Sequence, residues 1–227
     1  YLLVCAILKN VKSDIKILTG QTQNHIHFLE PEKIGVHREV VTPLQSLKKA
    51  AEQAGFDLSV CSGFRSFESQ LRIWNAKVKG DKPVLDNKSQ PIEISKLSPK
   101  EIIFSILRWS ALPGISRHHW GTDLDVFDRK SMPNNYRLQL IPSEFEGGGF
   151  SAPLHDWLDL NLSKFGFFRP YAKDLGGVSP ERWHISYEPV AQKFWQEMTL
   201  ERIKQVLMVE NLELKSEVIQ NLPEIYE

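Results

Sequence analysis

The sequence predicts an α+β fold, on three observations. Several segments repeat apolar residues at helical spacing and carry capping residues at their ends. Shorter segments alternate apolar and polar residues, as half-buried strands do. The two kinds are interspersed without the strand–helix–strand rhythm of a parallel sheet.

The elements follow in order. Residues 1–8 are an apolar run, read as a buried strand or helix end, with the tail of a signal peptide as the rival. Residues 9–41 show no clear pattern. Thr42 and Pro43 open a helix as N-cap and first-turn residue, Leu44, Leu47, Ala50, Ala51 and Ala54 follow at its spacing, and Gly55 stops it. Residues 56–61 make a short strand and residues 62–66 a turn. A second helix over 67–77 places Phe67, Leu71 and Trp74 on one stripe.

Residues 79–97 are polar and form a long loop, the kind that often serves as a lid or binding element. Ser98, Pro99 and Glu101 make a capping box, and the helix it opens runs to about Trp109. Pro113 and Gly114 break the chain. Residues 123–127 alternate as a strand. Gly147, Gly148 and Gly149 make a flexible loop. Pro153 opens a helix with Leu154, Trp157, Leu158, Leu162 and Phe165 inward, stopped at Gly166. Over 182–187, Trp183, Ile185 and Tyr187 share one face and Arg182, His184 and Ser186 the other. From Val190 the chain reads as helix almost to its end.

Composition bounds the function. The 227 residues make one domain, or one with small appendages. Lys+Arg and Asp+Glu are 28 each, so no net charge favours a phosphate backbone, and no nucleic acid partner is expected. Two cysteines, Cys5 and Cys61, exclude a disulfide scaffold and a cysteine-rich zinc finger. No stretch approaches the ~18 apolar residues of a transmembrane helix.

Of the seven His residues, two sit where neighbours also suit metal work. A hydrolytic zinc site needs about three protein ligands with one position open for water. It also needs a carboxylate to take a proton and a donor for the oxyanion. His118 and Asp125 can supply a nitrogen and an oxygen from either side of a tight turn at Gly121, and His184 a second nitrogen from a neighbouring strand. Glu181, at a corner after Pro180, can serve as the base, provided that it lies in a turn; on one straight strand with His184 it would face the other way. On residues alone, His119 and the pair His25 and His27 compete as ligands.

These residues carry a resemblance. Ser116-x-His118-x-x-Gly121-x-x-x-Asp125 resembles the first zinc motif of the LAS metallopeptidases, which include D-alanyl-D-alanine carboxypeptidases of the vancomycin-resistance type. Glu181-x-Trp183-His184 is similar to their second motif. Ser62-Gly63-Phe64-Arg65-Ser66 with Gln70 is similar to an upstream signature. The resemblance covers roughly residues 42–190 and implies a peptidase core there, after an unassigned segment 1–41 and before a helical extension 191–227.

The resemblance implies a small antiparallel sheet carrying the zinc site, flanked by helices. It implies Zn²⁺ held by His118, Asp125 and His184, with Glu181 as general base on a metal-bound water. Arg65 would stabilise the oxyanion, and Ser116 and Gln70 would help seat the peptide. The implied activity is hydrolysis of the terminal D-Ala bond of peptidoglycan stem peptides; family analogy points to the cell envelope, with the cytoplasm as the alternative, and a monomer is expected. An endopeptidase of the same group and a non-catalytic peptide-binding module are the alternatives.

Two departures stand out. Asp123 replaces the family's Ala, and is read first as orienting a ligand, then as adding charge, then as a strand cap. The stretch between Gln70 and Ser116 is long and would form one wall of the cleft. Trp120, Trp183, His119 and His155 are read as packing or structural residues, and Arg182 as either a carboxylate binder or a surface ion pair. Cys61 has no paired His and is not read as a nucleophile.

Overall fold

The computed structural model describes residues 13–208 and 211–226; the apolar run 1–8 and Cys5 lie outside them. The described residues open with a one-turn helix, α1 (Ile15–Leu18), and an antiparallel hairpin of β1 (Ile26–Leu29) and β2 (Ile34–His37). This hairpin falls in the segment that shows no pattern in sequence. Helix α2 (Val41–Gln53) follows directly from a 3-10 turn over Arg38–Val40, so Thr42 sits inside the first turn and is not its N-cap. The turn leads straight into the helix, and the His37 ring accepts the Glu39 amide at its start.

Four strands make the main sheet: β3 (Leu58–Ser62), β4 (Asp123–Asp128), β5 (Phe167–Phe168) and β6 (His184–Tyr187). All pairs are antiparallel, in the order β3-β4-β6-β5. β3 starts two residues later than expected, because the Phe56 amide still closes helix α2 on the Ala51 carbonyl. Arg182 and Trp183 lie in a turn before β6, where the His184 amide donates to the Glu181 carbonyl.

One face of the sheet presents Leu58, Val60, Leu124, Val126 and Ile185 to Leu44, Leu47 and Ala51 of α2. Leu154 and Leu158 of α6 (Ala152–Asn161) close the same core. The alternation of β4 does not mean one wet face: all six of its residues are buried. Asp123 and Asp125 face a second layer, where the site lies.

A second core joins Trp74 of α3 (Phe67–Val78) to Ile103 and Ile106 of α4 (Pro99–Leu107). The C-terminal helices complete it through Phe194, Ile203 and Val218. Among the described residues they are α7 (Glu188–Glu197), α8 (Leu200–Leu207) and α9 (Lys215–Tyr226). Met198 turns extended between the first two, and the Thr199 hydroxyl then caps α8. The capping box at Ser98 and Glu101 forms as predicted, with both reciprocal bonds. The Gly147–Gly149 triplet is not simply loose: a Cβ on Gly149 would lie 2.5 Å from the Ser143 carbonyl oxygen of the short helix α5 (Pro142–Phe145). Among the described residues, no helix is long and apolar enough to cross a membrane.

Candidate metal centre

Strand periodicity positions half of the site. Leu124 and Val126 point into the core, so Asp123 and Asp125 point to the opposite face. On β6, Ile185 points inward and His184 and Ser186 the other way. The register sets Asp125 opposite His184 and Asp123 opposite Ser186. His118 comes from a 3-10 turn over Arg117–Trp120, which Gly121 ends at φ +68°. A Cβ there would lie 2.5 Å from Ile26 Cδ1 and 2.7 Å from the His37 amide nitrogen, so the hairpin presses this turn into place.

Each imidazole is anchored on one nitrogen and open on the other. His118 Nδ1 lies 2.9 Å from the Gly63 carbonyl, leaving Nε2 at 3.4 Å from Asp125 Oδ2. His184 Nε2 lies 2.9 Å from Asp123 Oδ1, leaving Nδ1 at 3.4 Å from Asp125 Oδ1 and 3.3 Å from Glu181 Oε2. One ligand atom from each of His118, Asp125 and His184 falls within 4.8 Å of the others. Asp125 Oδ1 and His184 Nδ1 are buried and lack hydrogen-bond partners. Such atoms cost about 1–3 kcal/mol each unless something satisfies them. Two nitrogens and one oxygen, all converging and with orphaned atoms among them, fit a zinc-type ion with an open position.

The charges agree with the geometry. Burial opposes a charge on His184, yet the Asp123 hydrogen bond and the carboxylates of Glu181 and Asp125 raise its pKa to about 10. Burial holds His118 well below its ordinary value, with Arg65 and His184 adding to the effect. Burial raises both Asp125 and Glu181. Without metal the cluster therefore keeps a proton on His184, which a bound cation displaces.

Asp123 touches His184, the contact that the first of its three readings called for. Burial disfavours its charge, but Arg117, His184 and Thr122 together hold its carboxyl well below the usual range. Arg117 Nε donates to Oδ1 at 2.7 Å, and the Thr122 and Ser186 hydroxyls donate to Oδ2 at 2.7 and 2.9 Å. Every lone-pair direction is thereby assigned, and the His184 ring is locked.

Arg65 is braced rather than free. It donates to Gln70 Oε1 at 3.0 Å and to the Ser62 hydroxyl at 3.2 Å. Gln70 is fully buried, and its amide donates to the Ala111 carbonyl at 2.7 Å. Gln70 therefore acts on the cleft through Arg65 and the 110–111 backbone. His119 braces the same turn, with its Nδ1 at 2.7 Å from the Arg65 carbonyl and its Nε2 accepting the Gly114 amide at 2.9 Å. Both of its nitrogens are used, so it is no ligand. His25 rests against the His119 carbonyl, and His27 is exposed; among the described residues neither joins a metal-holding group.

A cleft of about 260 Å³ opens on the site, lined by Arg65, Ser116, His118, Asp125, Glu181 and His184. Leu85, Trp109, Ser110 and Ala111 supply one wall, as the long stretch after Gln70 implied. Trp109 anchors that wall by stacking on Trp183 and donating to the Asp86 carbonyl. Tyr171 meets the His184 ring edge-on at 4.9 Å; nothing in sequence marks it. Arg182 binds Asp156 and Asp159 away from the cleft, which settles its role as an ion pair. His155 is structural, at 3.2 Å from the Val126 carbonyl. The Cys61 thiol turns to the Asp125 carbonyl.

The chain is similar to known proteins. The family model described as VanY, D-alanyl-D-alanine carboxypeptidase, matches residues 33–190. The D-alanyl-D-alanine carboxypeptidase of Enterococcus faecalis (strain ATCC 700802 / V583) is 31% identical over 147 residues, 63% of this chain and 45% of that protein. An uncharacterized protein of Haemophilus influenzae (strain ATCC 51907 / DSM 11121 / KW20 / Rd) is 38% identical over 113 residues, 49% of this chain and 86% of its own length. Among solved structures, a variant of the vancomycin-resistance D,D-pentapeptidase VanY in complex with Zn(II) is 25% identical at a TM-score of 0.52, covering 78% of this chain and 88% of that one. VanYB in complex with D-alanine-D-alanine, 24% identical, covers 82% of this chain and 89% of its own at a TM-score of 0.54, a likeness of fold.

Proposed function

The chain belongs to the D-alanyl-D-alanine carboxypeptidase family that the VanY model describes, and on that premise we propose that it is a zinc-dependent carboxypeptidase removing the terminal D-Ala of peptidoglycan stem peptides. The observation that carries this reading is the convergence of three ligand atoms, two of them buried without partners, beside Glu181.

His118 Nε2, an Asp125 oxygen and His184 Nδ1 would hold the ion. Zinc supplies Lewis acidity there and lowers the pKa of water towards ~7. Glu181, its carboxyl raised by burial, is suited to accept a proton and pass it to the leaving amine. Arg65, held in line by Gln70 and Ser62, presents its guanidinium to the carbonyl oxygen as negative charge grows there. Ser116, on the cleft wall, offers a hydroxyl to the peptide backbone. Asp123 keeps His184 in the tautomer that leaves Nδ1 free.

The test is metal analysis of the purified chain with an assay of D-Ala release from a stem pentapeptide. Stoichiometric zinc, release of D-Ala, loss with chelator and return on adding zinc are expected. Full activity in metal-free protein would overturn zinc dependence. Cleavage of cross-linked muropeptides with the pentapeptide left intact would make it an endopeptidase. An intact substrate beside zinc-loaded protein would make it a binding module.

A further inference from the structure

Lys77 lies on the inward stripe of α3, where Phe67, Gln70 and Trp74 precede it at helical spacing and are buried. Its side chain lines the cleft, with Arg65 and Glu181 within Coulombic reach. Helical side chains lean towards the helix N-terminus, which carries Lys77 back towards Gln70 and the guanidinium that Gln70 braces. Among the described residues its ammonium makes no hydrogen bond and no ion pair. Of the other cations near the cleft, Arg117 is matched by Asp123 and Arg108 by Asp174, while Arg65 and Lys82 add positive charge beside Lys77. Burial, with Lys82 and Arg65 facing it and Glu181 opposing, pushes the Lys77 pKa down to about 8. A half-buried cation with no ion-pair contact among the described residues calls for an anion from outside.

We propose that Lys77 binds the free C-terminal carboxylate of the peptide substrate, so that this cleft selects free chain ends over amidated or continuing ones. The inference rests on the peptidase reading of the site. In the residue to be released, the carboxylate carbon lies within ~4 Å of the scissile carbonyl carbon, by ordinary bond lengths. A carbonyl held at Arg65 therefore leaves the carboxylate beside a flexible ammonium with three donors. An amide or a further residue at that position would leave the Lys77 charge covered and unneutralised, which disfavours it.

The experiment compares the zinc-loaded full chain, Lys77→Gln and Lys77→Arg on a pentapeptide acid and on the same peptide as its C-terminal amide. Zinc content and Tm check that each variant folds. The wild type should prefer the acid through a KM at least about tenfold lower, a measurement that stands without any variant. Lys77→Gln should raise KM for the acid about 10–100-fold and collapse the acid-to-amide preference, while Lys77→Arg keeps it. An unchanged preference in Lys77→Gln, with both peptides cleaved, would overturn the inference alone. So would a change confined to peptides that carry a carboxylate on the third side chain. Failure of the wild type to cleave either peptide would remove the peptidase reading and the inference with it.

Discussion

Glu181 and Asp123 are both carboxylates beside His184, and their surroundings shift them in opposite directions. Glu181 has one neighbouring imidazole and its carboxyl is raised by burial; Asp123 is fully buried, yet ionised by Arg117, His184 and Thr122. Glu181→Gln should keep zinc and lose turnover by about 10²–10⁴, the usual contribution of a general acid–base group; wild-type kcat in that variant would remove Glu181 from the chemistry. Asp123→Asn should weaken zinc binding about 10–100-fold, because the His184 ring loses its anionic anchor and Arg117 its counter-charge. Chelator competition measures this, and an unchanged affinity would reduce Asp123 to packing. Arg117 was not legible in sequence, since its ion pair with Asp123 closes only across the Gly121 turn and its second partner, Ser186, comes from β6.

At the scale of elements, the site hangs on a hairpin that sequence patterning left blank. β2 receives the Phe64 amide on the Gly35 carbonyl and gives the His37 amide to the Gly121 carbonyl. It thereby presses on both the Arg65 turn and the His118 turn. A Cβ on Gly63 would sit 2.4 Å from the Gly35 carbonyl oxygen, and Gly121 is equally confined. Gly121→Ala should cost at least about 1–3 kcal/mol in unfolding free energy, from positive φ and from contact with backbone that cannot move aside. Denaturant unfolding checks it; a stability equal to the wild type would mean the hairpin gives way. By contrast, α3 and the capping box of α4 were legible in sequence, because caps and helical stripes are local signals.

At the scale of the whole molecule, the metal site is also a stability element. His184 is raised to about 10 in the metal-free protein, so its contribution is full below its unfolded value near 6.5 and is lost as pH rises towards 10. Asp125 and Glu181, both raised by burial, act in the same direction, since ionising them in the folded state is disfavoured. The metal-free protein should therefore lose stability with rising pH above about 6.5. Zinc binding, which requires His184 to give up its proton, should tighten over the same window. Thermal unfolding with and without zinc between pH 6.5 and 9 should show a gap in Tm that widens with pH. A gap that narrows would place the displaced proton elsewhere.

The sequence by itself determined the class of fold and most helices, because capping and periodicity are written within a few residues of one another. On residues alone His118, Asp125 and His184 had His119, His25 and His27 as rivals, and the resemblance to a known family chose among them. Tertiary structure alone decided which nitrogen of each imidazole stays free, that Glu181 lies in a turn beside His184, and that Gln70 and His119 serve Arg65. It also decided that Asp123 and Arg117 form the support of His184, and that the β1–β2 hairpin holds both loops. These depend on strand register and on contacts between segments up to a hundred residues apart, and no local pattern encodes which buried donor will find which acceptor once the layers close.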